Sequence, residues 1–478
     1  MQANVGDGPG QIATGGAEPP EPGVMRGVLQ AVGRWLGVLY LVFSLGGNML
    51  VRLDPSNPRP WFEPTLILMA AAVLLVGVPL VARTWKLWVP LGLLVVWIGA
   101  GVVSTWALTG SVPVASVRWT VILAALFVAA AVTRPAWSGG AVLALGTLHV
   151  AVHVVVYWKN YYSLGASFPG SGLWWSTSYG WSSLPLPART DWVMGGAPVL
   201  GLPYPQGAIE RLGALIVEVP QVARYQFFGL TGNPNYTGDY LAPFLVFAVA
   251  LLLRPVSVRL PVLPRALTSA VILMMGLLVL HVLDARSALL AVVVGLVVLV
   301  VPVSWARRGV VPYAAAVGVP FLLLAPPLVS WTTGAWFTGR SCVWRSWRAA
   351  VQDSPAWGVG APGQLMDVCP NPVFIVNAHN ELLQAWSVGG AIGLLSFTFF
   401  IAVATWMAAR HSDLDGRVLL AVVTTCVALL GMEVISTDWA IAWLVPIVAR
   451  SIALFTVGEP VVRTVGEDRP GLQRRAVT

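Results

Sequence analysis

Lysine is all but missing from this chain: of its 28 basic residues only Lys86 and Lys159 are lysines, the others arginine. Charge of either sign is scarce. Charged residues make up 10% of the 478 positions, against about 25% in soluble globular proteins, which excludes a soluble protein and leaves an integral membrane one. Histidine is sparse too. The five histidines show no metal-ligand spacing on one face, and no loop read as extracytoplasmic pairs two carboxylates for a metal, so neither a metal nor any other cofactor is expected. Asp413 and Asp415 have an Asp-x-Asp spacing but fall in a short turn on the opposite side. The first 25 residues are rich in Gly, Pro and Ala and lack an apolar core segment, which excludes a cleaved leader and predicts a disordered tail. No internal repeat is found.

What is present is apolar. Hydrophobic residues are 57% of the chain and the mean hydropathy is +0.77. Twelve apolar spans are read, at 27–46, 64–82, 88–109, 113–132, 136–157, 236–253, 265–282, 287–305, 311–330, 383–408, 417–434 and 438–456. Each approaches the roughly 20 residues that carry a helix across hydrocarbon. The runs are continuous rather than alternating, so the expected fold is all-α, a polytopic bundle of twelve transmembrane helices.

Arginine placement orients the bundle. Arg83, Arg134, Arg254, Arg259, Arg265, Arg307, Arg308, Arg410, Arg417 and the tail arginines fall on one side when both termini are cytoplasmic. The net charge of +8 follows this topology and does not denote nucleic-acid binding. The expected organisation is a cytoplasmic tail (1–26), helices 1–5 (27–157), an extracytoplasmic loop (158–235), helices 6–9 (236–330), a second large extracytoplasmic loop (331–382), helices 10–12 (383–456) and a cytoplasmic tail (457–478). The first loop is dense in Trp and Tyr, an interfacial belt or a sugar-stacking surface, and its 208–225 segment reads as a surface helix.

The second loop gathers the chemistry. A basic, Trp-rich helical piece comes first, with Arg340, Trp344, Arg345, Trp347 and Arg348; a Gly/Pro turn cluster (Gly358, Gly360, Pro362, Gly363) follows. His379 then stands at the loop–helix junction beside Asn380 and Glu381. Imidazole titrates near neutrality and can take a proton from a sugar hydroxyl. Cys342 and Cys369 share the loop and form a candidate disulfide; spacing leaves them free or paired. Cys426 lies in an apolar span and reads as a small core residue, and His149, His153 and His281 as core histidines. Arg286 departs from the basic-side trend, either paired with Asp284 or acting as an anion clamp. Arg224 and the Asn233-Pro234-Asn235 turn border the sixth span as a further polar wall.

Arg224 with Gly-x-x-Gly-Asn-Pro-Asn (229–235), Ala-Arg-Ser-Ala-Leu-Leu (285–290), Gly-Arg-x-x-x-Trp (339–344), Asp-Ser-Pro-x-x-Gly-Val-Gly (353–360), Ala-His-Asn-Glu-Leu-Leu-Gln (378–384) and Gly-x-Ile-Gly-Leu (390–394) occur in that order. In this the chain resembles the O-antigen ligase and polymerase superfamily, polytopic GT-C-like glycosyltransferases. The resemblance runs from Arg224 to Leu394; the insert 364–376 departs from it. It implies transfer of a glycan from an undecaprenyl-pyrophosphate-type carrier to an acceptor hydroxyl at the outer face of the bacterial cytoplasmic membrane, inverting and metal-independent, by a monomer. It implies Arg224, Arg286 and Arg340 on the pyrophosphate and His379 on the acceptor hydroxyl. With these go Asn233, Asn235, Trp344 and Asn380 as candidate substrate contacts. The acceptor is a glycan, lipid or protein. The alternatives are a polymerase that extends the carrier-linked glycan and, from another class, a transporter or flippase of lipid-linked glycans, for which Arg118 and the intramembrane histidines speak. With the second loop outside, Ser354→Cys reacts with an impermeant thiol reagent in intact spheroplasts and Ser412→Cys only after lysis; labelling of the latter in intact cells reverses the topology.

Overall fold

Apolar runs fold as helices in a bilayer because a helix satisfies its own backbone donors and acceptors without water. The computed structural model describes residues 22–52, 62–82, 85–133, 135–163, 234–253, 261–282, 285–300, 310–333, 340–360, 379–410 and 414–432. Among them every regular element is an α-helix. These are α1 (Pro22–Arg52), α2 (Phe62–Val81), α3 (Trp85–Thr109), α4 (Val114–Val132), α5 (Pro135–Ser163) and α6 (Pro234–Leu253), then α7 (Val262–Val282), α8 (Arg286–Val300), α9 (Val310–Thr333), α10 (Arg340–Asp353), α11 (Glu381–Arg410) and α12 (Leu414–Leu430).

The first eleven expected spans coincide with α1–α9, α11 and α12, and α10 is the basic, Trp-rich helix expected in the second loop. Several boundaries differ, and α1 runs to Arg52, six residues past its expected end. α1 starts at Pro22, so the last residues assigned to a disordered tail form its first turn; proline suits that position because its missing N–H has no partner there in any helix. α5 continues to Ser163, six residues past its expected end, and α8 is described only to Val300. The twelfth span, the 208–225 surface helix and the C-terminal tail lie outside the described residues.

Segments of α1, α2, α3, α7 and α11 are long and apolar enough to cross a membrane, and shorter apolar helices lie within α4, α5, α6, α8, α9 and α12. Their outward faces are as apolar as their inward ones. α2 buries Leu66, Ala70, Val73 and Gly77 on one face, while Leu68 and Leu75 are 71% and 77% exposed. A helix apolar all round faces lipid, not water. The chain is an integral membrane protein.

α11 is the hub, packing against α3, α9, α12 and the short α10. α8 lies against α6 and α12 through small residues, burying Ser287, Ala288, Ala291 and Gly295, the composition that lets membrane helices approach closely. One close approach is at Gly238 in α6. A β-carbon there would lie 2.9 Å from the β-carbons of both Ala285 and Ala288, so the first turns of α6 and α8 sit side by side. Gly238→Val is expected to wedge them apart and lower stability by about 1–3 kcal/mol, the usual range for overpacking, read as a fall in apparent Tm in detergent.

Candidate active site

The site is built on one asparagine. Asn380 precedes the first residue of α11, and its Oδ1 accepts the Leu383 N–H at 3.0 Å, an N-cap for one of the helix's orphan donors. Its Nδ2 donates to the carbonyls of Leu323 in α9 at 2.6 Å and of Gly431, just past α12, at 2.9 Å. Both carbonyls need that donor. The helical partner of the Leu323 oxygen would be the N–H of residue 327, which is a proline and has none. Gly431 follows the C-terminus of α12, where carbonyls have no partner within the helix. One amide therefore repairs a helix start, a helix end and a proline gap, and it is fully buried.

His379 stands immediately before this junction. Its φ is +46°, and it is the one non-glycine with positive φ among the described residues. The left-handed region is unfavourable for an L side chain by about 1–2 kcal/mol, and such conformations persist where surrounding structure enforces them. The enforcing neighbour is α10. Trp344 Nε1 donates to the His379 carbonyl at 3.4 Å, and Val343, Trp344 and Trp347 bury with Leu383 in a small apolar cluster apart from the main core. Val359, Trp386 and Met432 pack against it. The Val343/Trp344/Trp347/Val351 spacing gives α10 one apolar face, and Arg345 and Arg348 are exposed.

Two expected substrate contacts are packed inward. Trp344 is fully buried and its indole N–H donates to the His379 carbonyl. Asn380 is turned into the three-helix junction. Arg340 begins α10 one turn before Trp344, which ties its helix to His379. Arg286, exposed, is the first residue of α8, and α8 packs on α12, whose end meets Asn380. Asn235 is in the first turn of α6, beside the start of α8. Arg224, Asn233, Asp284 and Cys369 lie outside the described residues, as does the Cys342 side chain, and with them the candidate disulfide. Cys426 is a buried core thiol.

Among the described residues no three His, Cys, Asp or Glu side chains are grouped to hold a metal ion. His153 and His149 are core residues as expected, whereas His281, expected with them, is exposed: His153 Nδ1 bonds the His149 carbonyl at 2.8 Å, and His149 lies between His153 and Tyr240 with tilted rings and centroids 4.5 Å away on each side. Sequence reading missed Asp239 and Tyr240, buried in α6. The one signal for them was an aspartate inside an apolar span.

The class this defines is a polytopic helical membrane protein with an amphipathic helix clamped over a strained histidine. Residues 269–398 match the family model described as O-antigen ligase. The match runs from α7 into α11 and takes in Arg286, Arg340, Trp344, His379 and Asn380. Over those 130 of its 478 residues the chain is similar to the O-antigen ligase family, which supports the O-antigen ligase/polymerase superfamily. A search of curated proteins found no match, and neither did a search of solved structures. In general terms such a domain denotes a membrane glycosyltransferase of polysaccharide synthesis, with a lipid-linked glycan and an acceptor as its partners.

Asn380→Asp keeps the shape of the side chain but sets a carboxylate against two carbonyl oxygens. Each buried polar group left unsatisfied costs about 1–3 kcal/mol, more if charged. Asn380→Asp is expected to lower the thermal stability of the purified protein more than Asn380→Ala; native stability for both shows that the junction does not matter.

Proposed function

We propose that this protein transfers a glycan from a polyprenyl (undecaprenyl) pyrophosphate carrier to an acceptor hydroxyl at the outer face of the cytoplasmic membrane, in the manner of an O-antigen ligase. The single observation that carries the reading is His379, held left-handed between a buried Trp344 and a locked Asn380 inside the matched domain. Strain of this kind gathers where a side chain must be aimed.

In this reading the acceptor oxygen attacks the anomeric carbon from the face opposite the pyrophosphate. The new C–O bond forms as the old one breaks, configuration inverts, and the leaving group departs with the electron pair. The hydroxyl proton goes to His379. Arg286 and Arg340, with Arg224, take up the charge of the pyrophosphate, for which planar guanidinium forks are well matched. A bound metal has no part to play when arginines carry that charge. Twelve spans with both termini cytoplasmic would put these groups at headgroup depth, where the pyrophosphate of a membrane-held donor lies.

A polymerase of the same superfamily would use the same groups and differ in its acceptor. The transporter reading loses one of its supports: Arg118 bonds Glu63 at 2.6 Å, with both side chains about half exposed. Purified protein given a defined lipid-linked repeat unit and an acceptor tests the proposal. His379→Ala is expected to lower transfer by about 10² to 10⁴, the range for general-base assistance, with donor binding retained and no effect of EDTA on the native protein. Arg286→Ala should impair donor use, with Lys restoring part of it. Native transfer by His379→Ala, or loss with EDTA and recovery with a divalent metal, sinks the mechanism. A ladder on the carrier would mark a polymerase.

A further inference from the structure

α11 is not one continuous helix. Gly390 interrupts it with φ +60° and ψ −156°, leaving an outer piece, 381–389, that carries Asn380 and His379 at its head. A break of this kind strands backbone donors and acceptors, which is costly in a membrane protein unless something bonds them. Here the gap is filled by the turn that directly continues α10. The Val359 N–H donates to the Ser387 carbonyl at 2.5 Å, and the Ala391 N–H donates to the Ala356 carbonyl at 3.0 Å. Trp386 Nε1 adds a third bond, to the Pro355 carbonyl at 3.1 Å.

The turn itself is shaped for the gap. Gly358 N–H closes it on the Ser354 carbonyl at 2.9 Å. Gly358 has φ +77°, and a β-carbon there would stand 2.5 Å from the Ser387 carbonyl oxygen and 2.6 Å from the Gly390 nitrogen. A β-carbon on Gly390 would overlap the Ala356 carbonyl. Backbone meets backbone at both glycines, so neither collision can be relieved by turning a side chain. On its far side the turn rests on α3, where a Gly360 β-carbon would lie 3.0 Å from Thr105 Cα.

We propose that the Ser354–Gly360 turn is a splint that aims His379, and that Gly358 and Gly390 are positioning residues of the transfer reaction. This rests on the reading of His379 as the base. The outer piece of α11 is pinned at its head by Asn380 and at its foot by the splint, and Trp344 presses on its flank. Because the splint is the continuation of α10, the same seven residues set how far the helix begun by Arg340 stands from His379. The Asp-Ser-Pro-x-x-Gly-Val-Gly motif thereby gains a physical meaning, as a tight turn whose backbone docks into a broken helix. Positive-φ glycines are needed there because a β-carbon would hold the two chains apart.

The test uses full-length protein in detergent, with Gly358→Ala, Trp386→Phe (which removes the indole bond and keeps an aromatic ring) and His379→Ala. Two readouts are taken well below Tm. One is glycan transfer. The other is the rate at which diethyl pyrocarbonate modifies His379, followed on its own peptide by mass spectrometry with the exposed His281 as internal control. Gly358→Ala is expected to change the His379 modification rate at least threefold, leave His281 unchanged, and cut turnover at least tenfold with the donor KM within twofold of native. Trp386→Phe should do the same to a smaller degree, about two- to fivefold in turnover. A folded Gly358→Ala with native His379 modification overturns the splint. If Gly358→Ala fails to insert, Trp386→Phe decides, and native values for both readouts overturn the proposal. A changed modification rate with native transfer overturns instead the reading of His379 as base, which native transfer by His379→Ala would show independently.

Discussion

The interaction on which the rest depends is the pair of hydrogen bonds that Asn380 Nδ2 gives to two carbonyls, one at the proline gap of α9 and one just past the end of α12. Three elements reach this point incomplete: α9 because of Pro327, α12 because it ends, and α11 because it begins. A planar amide with two donors and one acceptor is among the few side chains that can serve all three at once. The fully buried setting makes the arrangement consequential, since in low dielectric a satisfied network stiffens and a half-satisfied one destabilises. His379 inherits its place from this junction.

The cap follows the same logic in apolar terms. α10 is short and charged, and by itself would have little reason to stay helical. Its two buried indoles give it one, and the exposed Arg345 and Arg348 leave its other face polar. A side chain on a loop end would be loosely held; His379 is bounded by packed helices, the condition under which side chains are aimed with useful accuracy.

Much of this was legible in the sequence, and the remainder was hidden for identifiable reasons. Continuous apolar runs located eleven helices because length and composition alone decide what a bilayer accepts. The Arg/Trp spacing of 340–348 marked α10 because amphipathic period is a local property. The inward packing of Asn380 and Trp344 was hidden because a polar or aromatic residue beside a candidate base looks the same in one dimension whether it faces a ligand or the core. Only the meeting of α9, α11 and α12 reveals the orphaned carbonyls. The break at Gly390 was invisible for a related reason: the apolar run continues across it, and glycine is common in membrane helices. The turn at 354–360 was recognised as a turn, but its partner lies across a long loop, beyond the range of local patterns.

The left-handed backbone of His379 has an evolutionary consequence. Glycine is the residue for which that conformation carries no steric penalty, so replacement would relieve about 1–2 kcal/mol of local strain. Selection for folding alone would drift toward glycine at this position, and selection for chemistry toward an imidazole. Under the proposed role of His379, a chain that keeps histidine there forgoes stability that a single substitution offers, which sets a ceiling on how far this scaffold can be hardened without losing transfer.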